Sequence, residues 1–407
     1  MRNILILGLV LPAISFALPI KKNERFRVQI PNEYIVHSTT KNISDKIIKK
    51  LGKDLFLVRA QNKKSLSKYS KVSPNFAYYG NYLDIEEDNT PNDVNFSKQF
   101  HHEMIFTTKA WSITKGSKDI IVAVTDNEFQ IDHQDLTGIW WKNESEIPGN
   151  GIDDDNNGYI DDVIGWDFMG DDNDVDTYGD TTHGTHVSGI IAANSNNTLE
   201  GSGIAPGVKV MPLRWYGSER AWTSAIIAET YHYAVDNGAK IISTSYNIDA
   251  LVDDEVYIDS IKYARDHDVL IFNSAGNGGQ KDPARGVLDD LILVCSVKSS
   301  SAKDQDKKSS FSNYGAGIDI CAPGDPIYAP VQSNNADQIR YGELSGTSMA
   351  TPVAAAVAAL IWSAHPNYSD EEVREKLYST ADNIDSRNFW YRGKLGHGRV
   401  NAFNAVQ

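Results

Sequence analysis

The sequence predicts an α/β fold in which a parallel central sheet carries helices on both faces, preceded by a small α+β unit. From about residue 117 onward, short apolar runs alternate with helical stretches, the rhythm of a parallel sheet covered on both sides. Charge also divides the chain. Residues 18–75 carry 14 Lys and Arg against 4 Asp and Glu; with Arg2 adding one positive charge, the remainder holds −26 of a net −15. At 407 residues, with 41% hydrophobic and 23% charged side chains, there is room for one large domain and one small one. That composition excludes disordered and fibrous classes.

Taken in order, residues 1–17 place Arg2 ahead of an apolar run ending in Ser15-Phe16-Ala17, which predicts a secretory signal peptide cut after Ala17. The run is short of the ~20 apolar residues a spanning helix needs, so no membrane anchor is expected. Residues 18–88 form the small unit: EYIVHS and DLFLVRA are strand-like, and SDKIIKKLG is a short amphipathic helix stopped by Gly52. LDIEEDNTPNDVN then reads as an exposed linker open to cleavage. In residues 89–407 the strand candidates are IIVAVTD, VKVMPLR, AKIISTS, VLIFNSA and LILVCSV. Helix candidates surround AIIAETYHYAVDNGA and VYIDSIKYARDHD. Loops at the carboxyl ends of such strands hold the site. Cys295 and Cys321 lie in apolar strand-like segments; two buried free thiols are expected, although export permits one bridge.

A basic segment joined to an acidic body predicts that the two dock on one another. Its lysines are dispersed among apolar residues, which argues against nucleic acid.

Acyl transfer by a serine needs a base, an acid that orients the base, and donors for an oxyanion. Asp126 ends IIVAVTD, and His183 opens HGTHVSG at a small-residue helix start. Ser348 sits in LSGTSMATP ahead of the apolar AAAVAALIW, and Asn277 lies between glycines in NSAGNGG. Each is weak alone. VAVTD, HGTHVSG, SAGN and SGTSMATP in that order resemble the subtilisin-like peptidase family, from about residue 90 to the C-terminal GHGRVNAFNAV.

The resemblance implies a subtilisin-like catalytic domain over 89–407 and a folding-assistant, inhibitory pro-domain over 18–88. It further implies a secreted or periplasmic serine endopeptidase made as a self-processing zymogen, with Asp126, His183 and Ser348 as triad and Asn277 as oxyanion donor. By residue matching, Ser245, Tyr246 and Asn247 form one wall of the primary pocket and Ser274, Ala275 and Gly276 the other, with Gly217 and Ser218 on the opposite edge. Two departures stand out. Relatives carry Ser or Thr and then Gly after the aspartate, where this chain has Asn127 and Glu128, and they carry glycine where Asn247 stands. Glu128 either raises the His183 pKa or points to solvent. These departures leave open a catalytically impaired peptide-binding protein on the same fold. His183 and His186 lack the HEXXH pattern of a zinc peptidase.

Asp153, Asp155 and Asn157 alternate before Gly158, with Asp161 beyond, the oxygen-ligand spacing of a structural Ca2+ loop. Ile164 stands where a bidentate glutamate would close an EF-hand. The family resemblance adds a second calcium site at Asp135, Gln99 and Asn197. The expected partners are protein or peptide substrates and the chain's own pro-domain, on a monomer.

Overall fold

The computed structural model describes residues 26–37, 46–51, 55–69, 71–79, 89–176, 182–217, 221–299, 303–333 and 339–407. The predicted signal peptide lies outside them. The chain separates into two compact units, Met1–Glu86 and Glu87–Gln407.

The first unit is a four-stranded antiparallel sheet: β1 (Phe26–His37), β2 (Lys46–Lys50), β3 (Leu55–Arg59) and β4 (Lys71–Tyr79), in the order β2-β3-β1-β4. Val36, Val58 and Leu66, all fully buried, make its core with Tyr34. EYIVHS and DLFLVRA are strands as read, but the helix expected over SDKIIKKLG is corrected. Its described part is β2, paired with β3 through a register shift between Ile47 and Lys49. The adjacent β-branched Ile47 and Ile48 are costly in a helix and suit a strand.

The second unit opens with two short helices, α1 (Phe100–Met104) and α2 (Thr107–Ala110), then β5 (Ile121–Asp126) and β6 (Trp166–Asp167). Alternation follows through α3 (His183–Ala192), β7 (Lys209–Arg214), α4 (Ser224–Asp236), β8 (Ile241–Thr244), α5 (Glu255–Asp266), β9 (Leu270–Ser274) and β10 (Leu291–Lys298). The chain then runs through β11 (Ile320–Asp325), a hairpin of β12 (Ile327–Pro330) and β13 (Tyr341–Leu344), α6 (Thr347–Ala364), α7 (Asp370–Ser379) and α8 (Ala402–Ala405). The seven strands order as β11-β10-β9-β8-β5-β7-β6, every pair parallel.

Burial on both faces explains why these strands read as unbroken apolar runs. In β5, Val122 and Val124 enter the core beneath α3 and α6, while Ala123 between them enters the one beneath α4 and α5. Helix α6 is apolar all round and almost wholly buried, as a central helix must be. Cys295 and Cys321 stand side by side on β10 and β11 and form a disulfide, with Cα atoms 4.4 Å apart. The free-thiol expectation is thereby overturned: parallel register brings together two residues whose sequence separation is 26.

Candidate active site

Strand β5 delivers Asp126 to the carboxyl edge of the sheet, 6% exposed. His183 begins α3, and its Nδ1 lies 2.8 Å from Asp126 Oδ1 and 2.9 Å from Oδ2. Oδ1 also accepts the Asn127 amide at 2.8 Å. The second residue of HGTH has a steric reason to be glycine. A Cβ on Gly184 would sit 2.3 Å from the Glu128 carbonyl oxygen and 3.1 Å from Asp126 Cβ, so only glycine lets α3 close on the aspartate turn. Burial works against the charged imidazole, yet the Asp126 carboxylate and its hydrogen bond outweigh it and hold the His183 pKa above its ordinary value.

Ser348 occupies the first turn of α6, where backbone amides and the helix dipole favour negative charge. Pro352 lies four residues on and has no N–H, which leaves the Ser348 carbonyl without its helical donor. Ser245 Oγ fills that place at 2.9 Å, and Ser348 Oγ donates back to the Ser245 carbonyl at 2.9 Å. The resting hydroxyl is therefore on Ser245 rather than on the imidazole. Asn277 follows β9, and its Oδ1 accepts from both the amide and the hydroxyl of Thr347 at 2.9 Å. A carbon built as Cβ on Gly346 would lie 3.5 Å from both Asn277 Nδ2 and the Ser348 amide nitrogen, so both nitrogens border Gly346.

A cleft of about 290 Å³ adjoins Asp126 and His183, lined also by Asn127, Ser245, Tyr246, Asn247 and Ile248 and by Trp215, Tyr216 and Trp222. The Trp215 ring centroid is 4.4 Å from that of Tyr246 and 6.2 Å from that of Trp222. Sequence reading missed these three aromatics; the signal was the Trp-Tyr pair directly after VKVMPLR. Of the two segments expected as walls, Ser245, Tyr246 and Asn247 line this cleft and Ser274, Ala275 and Gly276 lie beside them. Ser274 Oγ donates to the Tyr246 carbonyl at 3.0 Å, Gly276 N donates to Thr347 Oγ1 at 3.2 Å, and Ala275 is buried behind them. A Cβ on Gly276 would lie 2.7 Å from Asn247 Nδ2, so the Asn247 amide covers the join. Gly217 is half-buried after Tyr216, and Ser218 lies outside the described residues.

His186 is fully buried, with Nε2 on the Ile327 carbonyl at 3.1 Å, and burial lowers its pKa to about 3. Its Nε2 is thus committed to backbone carbonyls.

The acidic loop differs from the spacing expectation. Asp153 accepts the Asn157 and Gly158 amides at 3.1 and 2.9 Å, and Asp161 those of Asn150 and Gly151 at 3.0 and 2.8 Å. Both carboxylates thus fasten loop backbone. The carboxylates that converge are Glu146, Asp155 and Asp162, each with an oxygen within 4.8 Å of the others. Asn157 faces them, donating to Asp162 at 2.9 Å, and burial raises the Asp162 pKa. Gln99 likewise has another occupation. Its Oε1 accepts the Ser202 amide at 2.8 Å, and its Nε2 donates to the carbonyls of Ser202 and Tyr328 at 2.9 and 3.1 Å. Beside the Asn197 loop stands Asp93 instead, accepting the Asn196 and Asn197 amides at 2.9 Å. Asp135 accepts Asn197 Nδ2 at 2.7 Å, and burial, with the Asp93 charge adding to it, pushes its pKa up to about 6.

Comparison with known proteins puts this arrangement in the class of serine-type endopeptidases, which are hydrolases. Residues 117–398 match the family model described as Subtilase family. Thermitase of Thermoactinomyces vulgaris is 34% identical over 321 residues, 78% of this chain and 99% of that protein. Thermophilic serine proteinase of Bacillus sp. (strain AK1) is 32% identical over 362 residues, 88% of this chain and 77% of the relative. Among solved structures, a protease from Pseudoalteromonas arctica PAMC 21717 superposes with a TM-score of 0.60 at 26% identity, covering 78% of this chain and 98% of its own. The chain belongs to the subtilase family.

Proposed function

We propose that the chain is a secreted, self-processing serine endopeptidase whose Asp126, His183 and Ser348 carry the reaction. The observation that supports it most is the His183–Asp126 contact, with Ser348 in the first turn of α6 and Asn277 bound to its neighbour Thr347. Ser348 Oγ leaves the Ser245 carbonyl, gives its proton to His183 Nε2 and attacks the scissile carbonyl carbon. The resulting oxyanion accepts from the Ser348 amide and Asn277 Nδ2. His183 then protonates the departing amine, and a water, deprotonated by the same imidazole, hydrolyses the acyl-enzyme. Asp126 keeps Nδ1 protonated and stabilises the imidazolium throughout.

Substrate is a protein or peptide chain lying along the cleft, with Ser245, Tyr246 and Asn247 on one side and Ser274, Ala275 and Gly276 on the other. The aromatic part of the cleft, Trp215, Tyr216 and Trp222, suits a large apolar substrate side chain. The basic residues 18–88 act as pro-domain, cut at the acidic linker once the catalytic unit folds; the opposite charges of the two segments support this role. Secretion is supported by the apolar N-terminal run and by a relative described as the halolysin-like extracellular serine protease Nep of Natrialba magadii.

Calcium fits the two acidic loops, since hard cations take carboxylate and carbonyl oxygens. Glu146, Asp155 and Asp162 would hold one ion and Asp93, Asp135 and Asn197 a second. Bound there, calcium offsets carboxylate repulsion and stiffens the loops. A fluorophosphonate probe tests the reading: it should label the mature enzyme at Ser348, and Ser348→Ala should lose labelling, peptide cleavage and self-maturation together. Cleavage surviving in Ser348→Ala would overturn it.

A further inference from the structure

At the carboxyl edge of the sheet, three adjacent strands end on charged residues in register. Asp126 on β5 stands opposite Arg214 on β7, and Arg214 stands opposite Asp167 on β6. Arg214 is only 2% exposed and Asp167 equally so. The Arg214 Nη1 donates to Asp167 Oδ2 at 2.5 Å, and its Nε donates to the Asn127 carbonyl at 2.7 Å. Asp167 is fixed in turn, accepting the Met169 amide at 2.8 Å and a backbone hydrogen bond from Gly170. The next residue of β7 reaches the same turn: the Trp215 amide donates to the Asp126 carbonyl at 3.1 Å. From the other side Gly184 of α3 closes on the Glu128 carbonyl.

The turn that follows Asp126 is therefore gripped from two directions, and one grip is a buried cation. Burying both members of an ion pair costs desolvation that their attraction only roughly offsets, so stability alone is a poor account of this pair. Placement is a better one. We propose that Arg214, anchored by Asp167, is a positioning residue for Asp126: by holding the Asn127 carbonyl it fixes the turn that presents both carboxylate oxygens to His183 Nδ1. The inference rests on the triad reading above. It also accounts for Asn127 and Glu128, since a turn held through backbone carbonyls tolerates side chains after the aspartate.

The test is a double-mutant cycle on the full-length chain, cut at the linker by an added protease where a variant does not mature itself, with Arg214→Met, Arg214→Lys and Asp126→Ala, using variants whose circular dichroism and melting match a folded protein. Arg214→Met should lower kcat about 10- to 100-fold with KM little changed, since a displaced orienting group acts on the chemical step. The acid limb of its kcat/KM profile should move to lower pH, and Arg214→Lys should recover part of the loss. Combined with Asp126→Ala, Arg214→Met should cost kcat nothing further. The same fold-loss in both backgrounds, or an unmoved acid limb, overturns the proposal. If Arg214→Met fails to fold, Arg214→Lys and Asp167→Asn in the two backgrounds decide by the same criterion. An unchanged kcat in Asp126→Ala alone would instead overturn the triad reading.

Discussion

Replacing Asn277 with alanine removes two things that the structure separates. The lost Nδ2, which borders Gly346 as the Ser348 amide nitrogen does, is the proposed oxyanion donor. In this family, loss of such a donor raises the barrier by about 3 kcal/mol, roughly a hundredfold in kcat, while KM stays nearly constant because the oxyanion exists only in the transition state. The lost Oδ1 is a structural acceptor. Thr347 is fully buried, and its amide has Asn277 Oδ1 at 2.9 Å as partner. Its hydroxyl keeps a second contact as acceptor from the Gly276 amide at 3.2 Å. One buried N–H is left orphaned, which costs about 1–3 kcal/mol of stability. Asn277→Ala should therefore lose both turnover and melting temperature, whereas Asn277→Asp keeps the acceptor and should lose turnover with less loss of stability. Steady-state hydrolysis of a chromogenic peptide anilide, run beside thermal melts of the mature enzymes, measures the two effects. Wild-type kcat in both variants would refute the reasoning; loss of melting temperature without loss of kcat would restrict Asn277 to holding Thr347.

Calcium chelation should lower the thermal midpoint, since an ion at 100 times its Kd contributes about 2.7 kcal/mol. Calorimetry with and without chelator measures this, and Asp162→Asn should shrink the difference. Asn247→Gly uncovers the join at Gly276 and should raise kcat/KM about tenfold for substrates with a large side chain before the scissile bond, leaving alanine substrates little changed; a peptide library reads it out. Because Asp126 raises the His183 pKa, the neutral base appears only at higher pH. Asp126→Asn should thus shift the acid limb of kcat/KM to lower pH while kcat falls about 10⁴-fold. Removing both Cys295 and Cys321 should cost about 3.5 kcal/mol by loop entropy across the 26-residue separation, with kcat retained, as denaturant titration would show.

Asp126, His183 and Ser348, the proposed triad, stood out because each is tied to a strand end or helix start whose short pattern needs particular residues. Gly184 must be small to meet the Glu128 carbonyl, and Pro352 must lack an N–H where Ser245 bonds Ser348. Such local demands leave a mark in the order of residues. Where contacts join distant segments, the mark is missing. The acidic run pointed to Asp153 and Asp161, but their carboxylates are drawn to nearby loop amides, and Glu146 and Asp162 supply the cluster from either side. The Cys295–Cys321 bridge depends on the register of two strands, and KIIKK becomes a strand because β3 offers it an edge. The Trp215-Tyr216 pair after β7 was a visible signal, but the contact of Trp215 with Tyr246 and Trp222 joins separate segments and left none.

Helix α6 has a bearing on how such an enzyme fails. Ser348, the proposed nucleophile, belongs to the first turn of the helix on which the larger core is assembled, and that helix has almost no surface of its own to loosen. A catalytic group on a surface loop can wander while the body stays intact, so activity fades before structure does. Here Ser348 cannot leave its place unless the whole unit opens. Heating should leave no population of softened, half-working molecules: each is either folded and able to cut or unfolded and ready to be cut by its neighbours.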